Sequence, residues 1–371
     1  MKKLLIIALF LSASTLLANP NQPEKKKGQT IKVALLLDTS NSMDGLINQA
    51  KAQLWEIVNE LSYAKYGIQK PNLEIALYEY GNSNLPMEEG YIRQVLQFSN
   101  DLDEISEKLF SLKTNGGQEY CGQVIQTSLN ELSWGKNKND LRLLFIAGNE
   151  PFTQGKMNFQ EAIANAKEKD VIVNTIFCGA YQNGISGKWK EGADLGGGDY
   201  MTINQNKKVI HIVTPYDTDI LILNKKLNAT YIFFGSRGSE KYATQKRQDE
   251  NAESLEAPVA VKRTITKGSR LYDNSNWDLV DAVKKGRVDF KKLDKSKLPK
   301  SLRNLSTVEL KKLVAAKTKE RAAIQKQIRE LDKKRRAFVR EKQKNSVKKD
   351  ELNSVMIQAI KRQAKAKNYS W

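Results

Sequence analysis

Three oxygen-bearing side chains at alternate positions, Asp38, Ser40 and Ser42, directly follow an apolar run. The run, residues 31–37, is almost continuous, which is typical of a strand buried on both faces of a sheet. Ligands of parallel α/β sheets bind at the carboxyl ends of strands, so these oxygens lie where a ligand is expected. One carboxylate and two hydroxyls are hard donors that favour Mg²⁺, with Mn²⁺ or Ca²⁺ as alternatives.

The same spacing excludes one other kind of calcium site. An EF-hand loop needs glycine at its sixth position and glutamate at its twelfth. Counted from Asp38, these positions hold Met43 and Gln49. The loop is therefore not an EF-hand.

Apolar patterns around this loop predict an alternation of strands and helices. Buried strands are predicted over residues 31–37 and 141–147, further strands over 73–80, 171–178 and 200–203, and an edge strand over 91–98. Helices are predicted over residues 44–62, 102–112, 121–132, 159–167 and 188–195. This order indicates a doubly wound, mostly parallel α/β sheet of Rossmann-like type, with helices on both faces.

A buried strand followed by Asp38-x-Ser40-x-Ser42 resembles the metal-ion-dependent adhesion site (MIDAS) of the von Willebrand factor A (VWA) family. The resemblance covers about residues 31–214 in the order of elements. It implies a VWA fold and a divalent cation held by these three side chains. It also implies that an acidic side chain of a partner protein completes the ligand shell.

Two other loops depart from the family pattern, in which the second loop supplies a threonine ligand and a later strand end supplies an aspartate. The second loop has the sequence Gly-Gly-Gln-Glu-Tyr-Cys-Gly over residues 116–122, with Glu119 near the threonine position and Thr114 close by. At the strand end, Gly148 stands in place of the aspartate, followed by Asn149 and Glu150. The segment 148–153 is similar to exported bacterial VWA proteins of unassigned role that carry a charged helical C-terminal extension.

We therefore expect a rearranged metal site in which Glu119 supplements the three residues of the first loop. Thr114, Asn149 and Glu150 are secondary candidates for direct or indirect contact with the ion. One alternative is a degenerate site that keeps the loop and binds no metal. Another is that Glu119 is a solvated acid at a helix N-terminus, where the helix dipole favours it.

The N-terminus has the pattern of a targeting segment. Lys2 and Lys3 precede an apolar run over residues 4–11, and small residues follow up to Ala18. This predicts a cleaved signal peptide over residues 1–18, a flexible lead-in over 19–30, and a periplasmic or secreted bacterial protein. No later segment is apolar for long enough to span a bilayer, so no transmembrane segment is expected after signal removal.

The chain contains two cysteines, Cys121 and Cys178. Cys121 lies in the second loop and Cys178 at the end of a predicted strand, so both are expected near the carboxyl edge of the sheet. The predicted export permits a disulfide between them, which would hold the loop that carries Glu119. Two buried free thiols are the alternative.

Positive charge is concentrated near the C-terminus. The net charge is +19, and residues 300–371 contain 22 lysines and arginines against 7 acidic residues. A capping box at residues 306–309 begins a helix whose apolar positions alternate at intervals of four and three, as in a coiled coil. We therefore predict a helical connecting region and linker over 215–305 and a basic helical or coiled-coil tail over 306–371.

The tail is expected to be attracted to an anionic envelope surface. A solvated helical face stabilised by local ion pairs is the alternative. Nucleic acid is not an expected partner of an exported protein.

These features favour a binding module over an enzyme. A Ser-His-Asp triad and zinc-hydrolase motifs both require histidine, and the chain contains a single one, His211. The predicted function is metal-ion-dependent, adhesion-type protein binding at the cell envelope, with no catalytic residues. Two other functions stay open: a structural envelope protein with a degenerate site that acts through its helical tail, and a metal-assisted hydrolase with Glu119 or Glu150 as general base.

Overall fold

A six-stranded sheet lies at the centre of the computed structural model, which describes residues 28–207, 209, 211–343 and 352–371. The predicted signal peptide and residues 19–27 of the lead-in lie outside the described residues. In chain order the strands are β1 (Thr30–Asp38), β2 (Lys65–Tyr66), β3 (Asn72–Tyr80), β4 (Ile92–Ser99), β5 (Leu141–Gly148), β6 (Ile172–Cys178), β7 (Gly197–Ile203) and β8 (Tyr369–Ser370). The sheet has the order β4-β3-β1-β5-β6-β7, and β4 is its antiparallel edge.

Helices cover both faces of this sheet, which confirms the predicted doubly wound fold. In chain order they are α1 (Asp44–Ser62), α2 (Leu102–Phe110), α3 (Cys121–Glu131), α4 (Phe159–Glu168), α5 (Tyr181–Ser186), α6 (Trp189–Leu195), α7 (Asp217–Asn228), α8 (Gly238–Leu255), α9 (Ala257–Lys267), α10 (Leu279–Lys284), α11 (Thr307–Gln343) and α12 (Leu352–Ala366). Helices α1, α2 and α12 share a core with one face, and α3, α4 and α6 with the other.

The central strand β1 shows why its sequence is apolar at nearly every position. It pairs in parallel with both β3 and β5. Val33 belongs to the core on one face, whereas Ala34 and Leu36 belong to the core on the other. Successive side chains of a strand point to opposite faces, so a strand covered on both sides needs a continuous apolar run.

The strand register brings three chain segments together at one edge of the sheet. Asp38 at the end of β1 is paired with Tyr80 at the end of β3, and Leu37 is paired with Ala147 of β5. Gly81 and Gly148 therefore lie beside Asp38 at the carboxyl edge of the sheet. This edge is where a ligand was expected.

The C-terminal helices share a core with the sheet. Leu227 of α7, Val261 of α9, Ile328 of α11 and Ile360 of α12 belong to the hydrophobic cluster that covers one sheet face. The predicted apolar seam of α11 thus packs against helices of its own chain, and a coiled coil is not confirmed. Within the described residues, no helix combines the length and apolar character needed to cross a bilayer.

Helix α9 is an element that the sequence analysis missed. All residues from Pro258 to Lys267 are buried, so it has no polar face to produce an amphipathic pattern. Its β-branched residues are also more typical of strands than of helices. Tertiary packing on α1, α7 and α8 overrides that preference.

The C-terminus of the chain is fixed to the end of α1. Strand β8 pairs with β2, which follows α1 directly. The Trp371 indole N–H donates a hydrogen bond of 2.9 Å to the backbone oxygen of Glu60, whose carboxylate forms an ion pair with Lys361. The final residues are therefore held against the end of α1.

A buried ion cluster joins α2, α8 and α9. Arg263 contacts Asp103 at 2.9 Å and also pairs with Asp249, and Lys267 contacts Asp249 at 2.8 Å. Burial alone would raise the pKa of Asp249, but the charges of Arg263 and Lys267 outweigh it and hold that pKa below its usual value. Asp249 therefore pairs with two cations that have almost no access to water, and Asp103 supplies the second negative charge.

Replacing Asp249 with asparagine tests this cluster. We expect the free energy of unfolding at pH 7 to fall by about 3 kcal/mol, because two buried cations lose a shared carboxylate. Since the folded pKa of Asp249 is lowered, its contribution is present above about pH 4 and is lost as the pH falls further. The difference in free energy of unfolding between wild type and Asp249→Asn, measured by urea denaturation, should therefore become smaller below about pH 4.

The matched control is Glu253→Gln, which removes an exposed acid from the same helix. Its stability should stay within about 0.5 kcal/mol of wild type. Equal stability of Asp249→Asn and wild type at pH 7 would show that the cluster does not stabilise the fold.

Candidate metal centre

The first loop of the candidate site folds back on itself directly after β1. The Ser40 backbone N–H donates to Asp38 Oδ1 at 2.7 Å, and the hydroxyl oxygens of Ser40 and Ser42 are 3.3 Å apart. The Thr39 N–H donates to the backbone oxygen of Tyr80 at 2.9 Å, which ties the loop to β3. The three side chains predicted as ligands thus lie together at the carboxyl end of β1.

Glu119 joins this group from the second loop. It is only 3% exposed and lies two residues before α3. Its carboxylate is close enough to Asp38 for each to affect the other's pKa. The structure thus places Glu119 inside the site, and not in solvent at a helix end.

Two carboxylate oxygens of this pair are buried without a hydrogen bond. Asp38 Oδ2 and Glu119 Oε2 have no hydrogen-bond partner among the described residues. Burial, followed by the neighbouring Glu119 carboxylate, raises the pKa of Asp38 well above its usual range. Burial also raises the pKa of Glu119, outweighing the opposing effects of the Asp38 and Ser40 side chains. Two ionised carboxylates here are costly, and either protonation of one of them or a cation bound between the oxygens removes that cost.

Gly81 provides the space that the two carboxylates occupy. Its φ angle is +76°, which favours glycine. A Cβ atom here would lie 2.7 Å from Cγ of Glu119 and 2.9 Å from Oδ1 of Asp38. Any larger residue would push both carboxylates out of place.

The Tyr80 hydroxyl occupies the space beside Gly148, where the family pattern has an aspartate. A Cβ atom on Gly148 would lie only 2.5 Å from the Tyr80 hydroxyl and 3.1 Å from Asp38 Oδ2. Tyr80 is fully buried, and its hydroxyl donates to the backbone oxygen of Ala147 at 3.0 Å. The tyrosine thus fills the space of a side chain at the end of β5, while Glu119 brings a carboxylate from the adjacent loop.

No local sequence motif marks Tyr80 and Gly81 as site residues. What places them in the site is their position in the sheet. Tyr80 is the last residue of β3 and Gly81 follows it, and β3 pairs with β1 at Asp38. Strand order had to be known before that position could be recognised.

The secondary candidates divide into one that joins the site and two that do not bring their side chains to it. The Asn149 amide donates to the Ser42 hydroxyl at 3.2 Å. The Thr114 hydroxyl is hydrogen-bonded to Asp44 instead. The Glu150 side chain is exposed, although its backbone oxygen accepts a hydrogen bond of 2.8 Å from the Trp189 indole N–H.

The donor set fits a hard divalent cation. Two carboxylates and two hydroxyls match the oxygen ligands of Mg²⁺, which keeps several water ligands. Helices α1 and α3 begin within two residues of Ser42 and Glu119, and their N-termini favour negative charge at this position. In the described part of the chain, no cluster of three or more His, Cys, Asp or Glu side chains could hold a metal ion. A cation here therefore depends on the hydroxyls as well.

The predicted disulfide is wrong, because Cys121 and Cys178 are both free and buried. Cys121 belongs to the core on the α3 side of the sheet, and Cys178 to the core on the α1 side. The sheet itself separates them. Burial raises the pKa of both thiols well above the usual value, which makes them unreactive.

Residues 32–188 match the family model of the von Willebrand factor type A domain. This part of the chain is a VWA domain. The match contains the first loop, Gly81, Glu119 and Gly148, and it ends directly before α6. Strand β7 and helices α6 to α12 lie beyond the match, and α7, α9, α11 and α12 share the core on the α1 side of the sheet.

Comparisons with solved structures also returned VWA proteins. The VWA domain of SpRpn10 is 14% identical, with 48% of this chain and 90% of that chain covered and a TM-score of 0.37. BatB from Bacteroides thetaiotaomicron is 16% identical, with 60% and 99% covered and a TM-score of 0.36. Mussel byssus proximal thread matrix protein 1, with a zinc-occupied MIDAS motif, is 15% identical, with 45% and 48% covered and a TM-score of 0.32.

A search of the curated proteins returned no match. The domain assignment therefore rests on the family model and on the observed order of strands and helices.

The contact between Gly148 and Tyr80 is open to a double-mutant cycle. We expect Gly148→Ala to lower the free energy of unfolding by about 2 kcal/mol, because the added methyl group overlaps the Tyr80 hydroxyl. Tyr80→Phe should cost about 1 kcal/mol through the lost hydrogen bond. In the double variant the hydroxyl is gone, so the added methyl group has room. The loss of unfolding free energy in the double variant should therefore be smaller than the sum of the two single losses by at least about 1 kcal/mol. Urea denaturation with EDTA measures all four proteins, and strictly additive losses would show that the two positions do not interfere.

Proposed function

We propose that the VWA domain is a metal-ion-dependent, adhesion-type protein-binding module, with Mg²⁺ as the favoured ion and Mn²⁺ or Ca²⁺ as alternatives. The proposal is carried by one observation: two buried carboxylate oxygens, Asp38 Oδ2 and Glu119 Oε2, lie in one site without a hydrogen-bond partner among the described residues. A divalent cation neutralises two such groups at once.

The energetics of the site support this interpretation over a purely structural one. Two like charges buried together destabilise a fold, and a neutral pair of similar size would remove that cost. A site that keeps both charges, a glycine that makes room for them and two neighbouring hydroxyls is therefore better explained by ligand binding than by stability.

In the proposed site, Asp38, Ser40, Ser42 and Glu119 hold the ion, and Asn149 orients Ser42. Ser42 is exposed and Asn149 is partly exposed, so the site opens to solvent on their side. The remaining positions of the ion would be filled by water and by an acidic side chain of a partner protein. The N-termini of α1 and α3 add positive partial charge that favours such an anionic group.

We propose binding without catalysis, because both buried carboxylates are used to hold the ion. We also propose that the protein is exported to the periplasm or beyond, on the basis of the targeting pattern in residues 1–18. Both proposals can be tested separately from metal binding.

Isothermal titration calorimetry with Mg²⁺ and Mn²⁺ tests the metal site. We expect wild type to bind one ion, and Asp38→Asn and Glu119→Gln each to lose at least about tenfold in affinity, since each removes one of two charged ligands. The cation should also raise the melting temperature of wild type and leave that of the two variants unchanged.

The same variants should be as stable as wild type or more stable in EDTA, because each removes a buried charge next to a like charge. Glu161→Gln, which changes an exposed acid on α4, is the matched control and should bind the ion as wild type does. If Mg²⁺, Mn²⁺ and Ca²⁺ give no heat of binding with wild type and do not raise its melting temperature, the site is degenerate. A structural role in the envelope, through the helical tail, then replaces this proposal.

A further inference from the structure

Helix α11 carries five cations at a constant interval of seven residues. They are Lys312, Lys319, Lys326, Lys333 and Arg340, and all five are exposed. Seven residues make about two helical turns, so neighbouring members are about 10.5 Å apart along the helix axis. The five side chains, which we call the cation row, therefore extend for about 42 Å along one side of the helix.

The cation row lies opposite the side by which α11 is packed. Ile324 and Ile328 are buried in the core, and Lys326 is two positions from each, about 200° around the helix. Because α11 packs on α7, α9 and α10 along this buried side, the row faces away from the molecule.

The side chains between the cations are mostly short, so they do not keep the cations away from a flat surface. Ala316, Ala323 and Ala337 are exposed there, and their side chains are too short to extend beyond the cations. Of the positions four residues after each lysine of the row, one holds an acid: Glu330, 4.0 Å from Lys326. The row thus keeps a net positive charge along its whole length.

We propose that the cation row binds the surface of a lipid bilayer rich in anionic phospholipids. Positions seven residues apart drift by about 20° around a straight helix, so the row turns by about 80° over its length. The lysine and arginine side chains are long and flexible, so all five can still reach a flat surface. Lipid headgroups move laterally, so they can gather under the cations without the ordering that a polymer chain would need. The row has no aromatic or large aliphatic member, so the contact is electrostatic and reversible by salt.

Other occupants fit these positions less well. A second copy of the chain presents the same cations and would be repelled. Single-stranded nucleic acid is usually held by aromatic side chains interleaved with cations, and here alanines lie between the cations instead. The proposal does not depend on the metal site, which lies on the VWA domain and not on α11.

Flotation of the full chain with vesicles tests the proposal. The vesicles contain either phosphatidylcholine alone or phosphatidylcholine with an equal part of phosphatidylglycerol, at low salt and with EDTA to keep the metal site out of the measurement. Each lysine near an anionic bilayer contributes about fivefold to partitioning. Changing all five members of the row to glutamine should therefore reduce binding to the anionic vesicles on the order of a hundredfold or more.

The matched control changes five exposed lysines elsewhere to glutamine: Lys65, Lys70, Lys136, Lys138 and Lys156. It has the same net charge as the row variant and should keep most of the binding. A third variant with arginine at the four lysines of the row should bind as wild type. All proteins share the same N-terminal residues, so differences between them report on the row.

For wild type, binding to anionic vesicles should fall steeply as salt approaches 1 M, and binding to neutral vesicles should be negligible. Equal losses in the row and control variants would overturn the proposal, because total charge would then explain the binding. Row-dependent binding to soluble polyphosphate without binding to vesicles would overturn it in favour of a linear polyanion. A circular dichroism melt of each variant confirms that the fold is kept, and the wild-type salt dependence tests the proposal without any variant.

Discussion

Two buried carboxylates at the carboxyl edge of the sheet set the strongest constraint on this molecule. Asp38 and Glu119 lie close together, and each has an oxygen without a hydrogen-bond partner among the described residues. The surrounding structure accommodates this pair in two ways. Gly81 leaves the space that their side chains need, and two helices begin beside them with N-termini that favour negative charge. The first loop, the second loop and the end of β3 are therefore physically dependent on one another.

The same constraint explains how the site can differ from the family pattern and still contain two carboxylates. The carboxylate that the family pattern places at the end of β5 has no room here, because the Tyr80 hydroxyl lies beside Gly148. Glu119 supplies a carboxylate from the neighbouring loop, so the number of acidic groups in the site is kept while their positions change. Tyr80, Gly148 and Glu119 thus form one linked set, and a change at one of them has to be judged together with the other two.

The cations of the C-terminal helices fall into two groups with different roles. Three cations of α11, Lys317, Arg321 and Arg335, lie on or near the side of the helix that packs on its own chain. Arg321 is buried and pairs with Asp278 and Asp281, and Arg335 pairs with Asp217. These contacts fix the helix to its own chain, as Arg263 and Lys267 fix α9. The exposed cations on the opposite side of α11 are the ones left for an external partner, because an unpaired charge is stable only in water or against an anionic surface.

The sequence by itself determined the sheet, its helices on both faces and the first loop of the site, because apolar periodicity and a short local motif depend only on neighbouring residues. It also pointed to Glu119, since a carboxylate stood where a threonine was expected. Only the tertiary structure decided that Glu119 lies beside Asp38 while Thr114 turns to Asp44, and that Tyr80 and Gly81 belong to the site. It also decided that the sheet separates Cys121 from Cys178, and that the basic tail packs into the core of the VWA fold. These outcomes depend on contacts between residues far apart in the chain, which strand order, register and the filling of space determine and which no local pattern encodes.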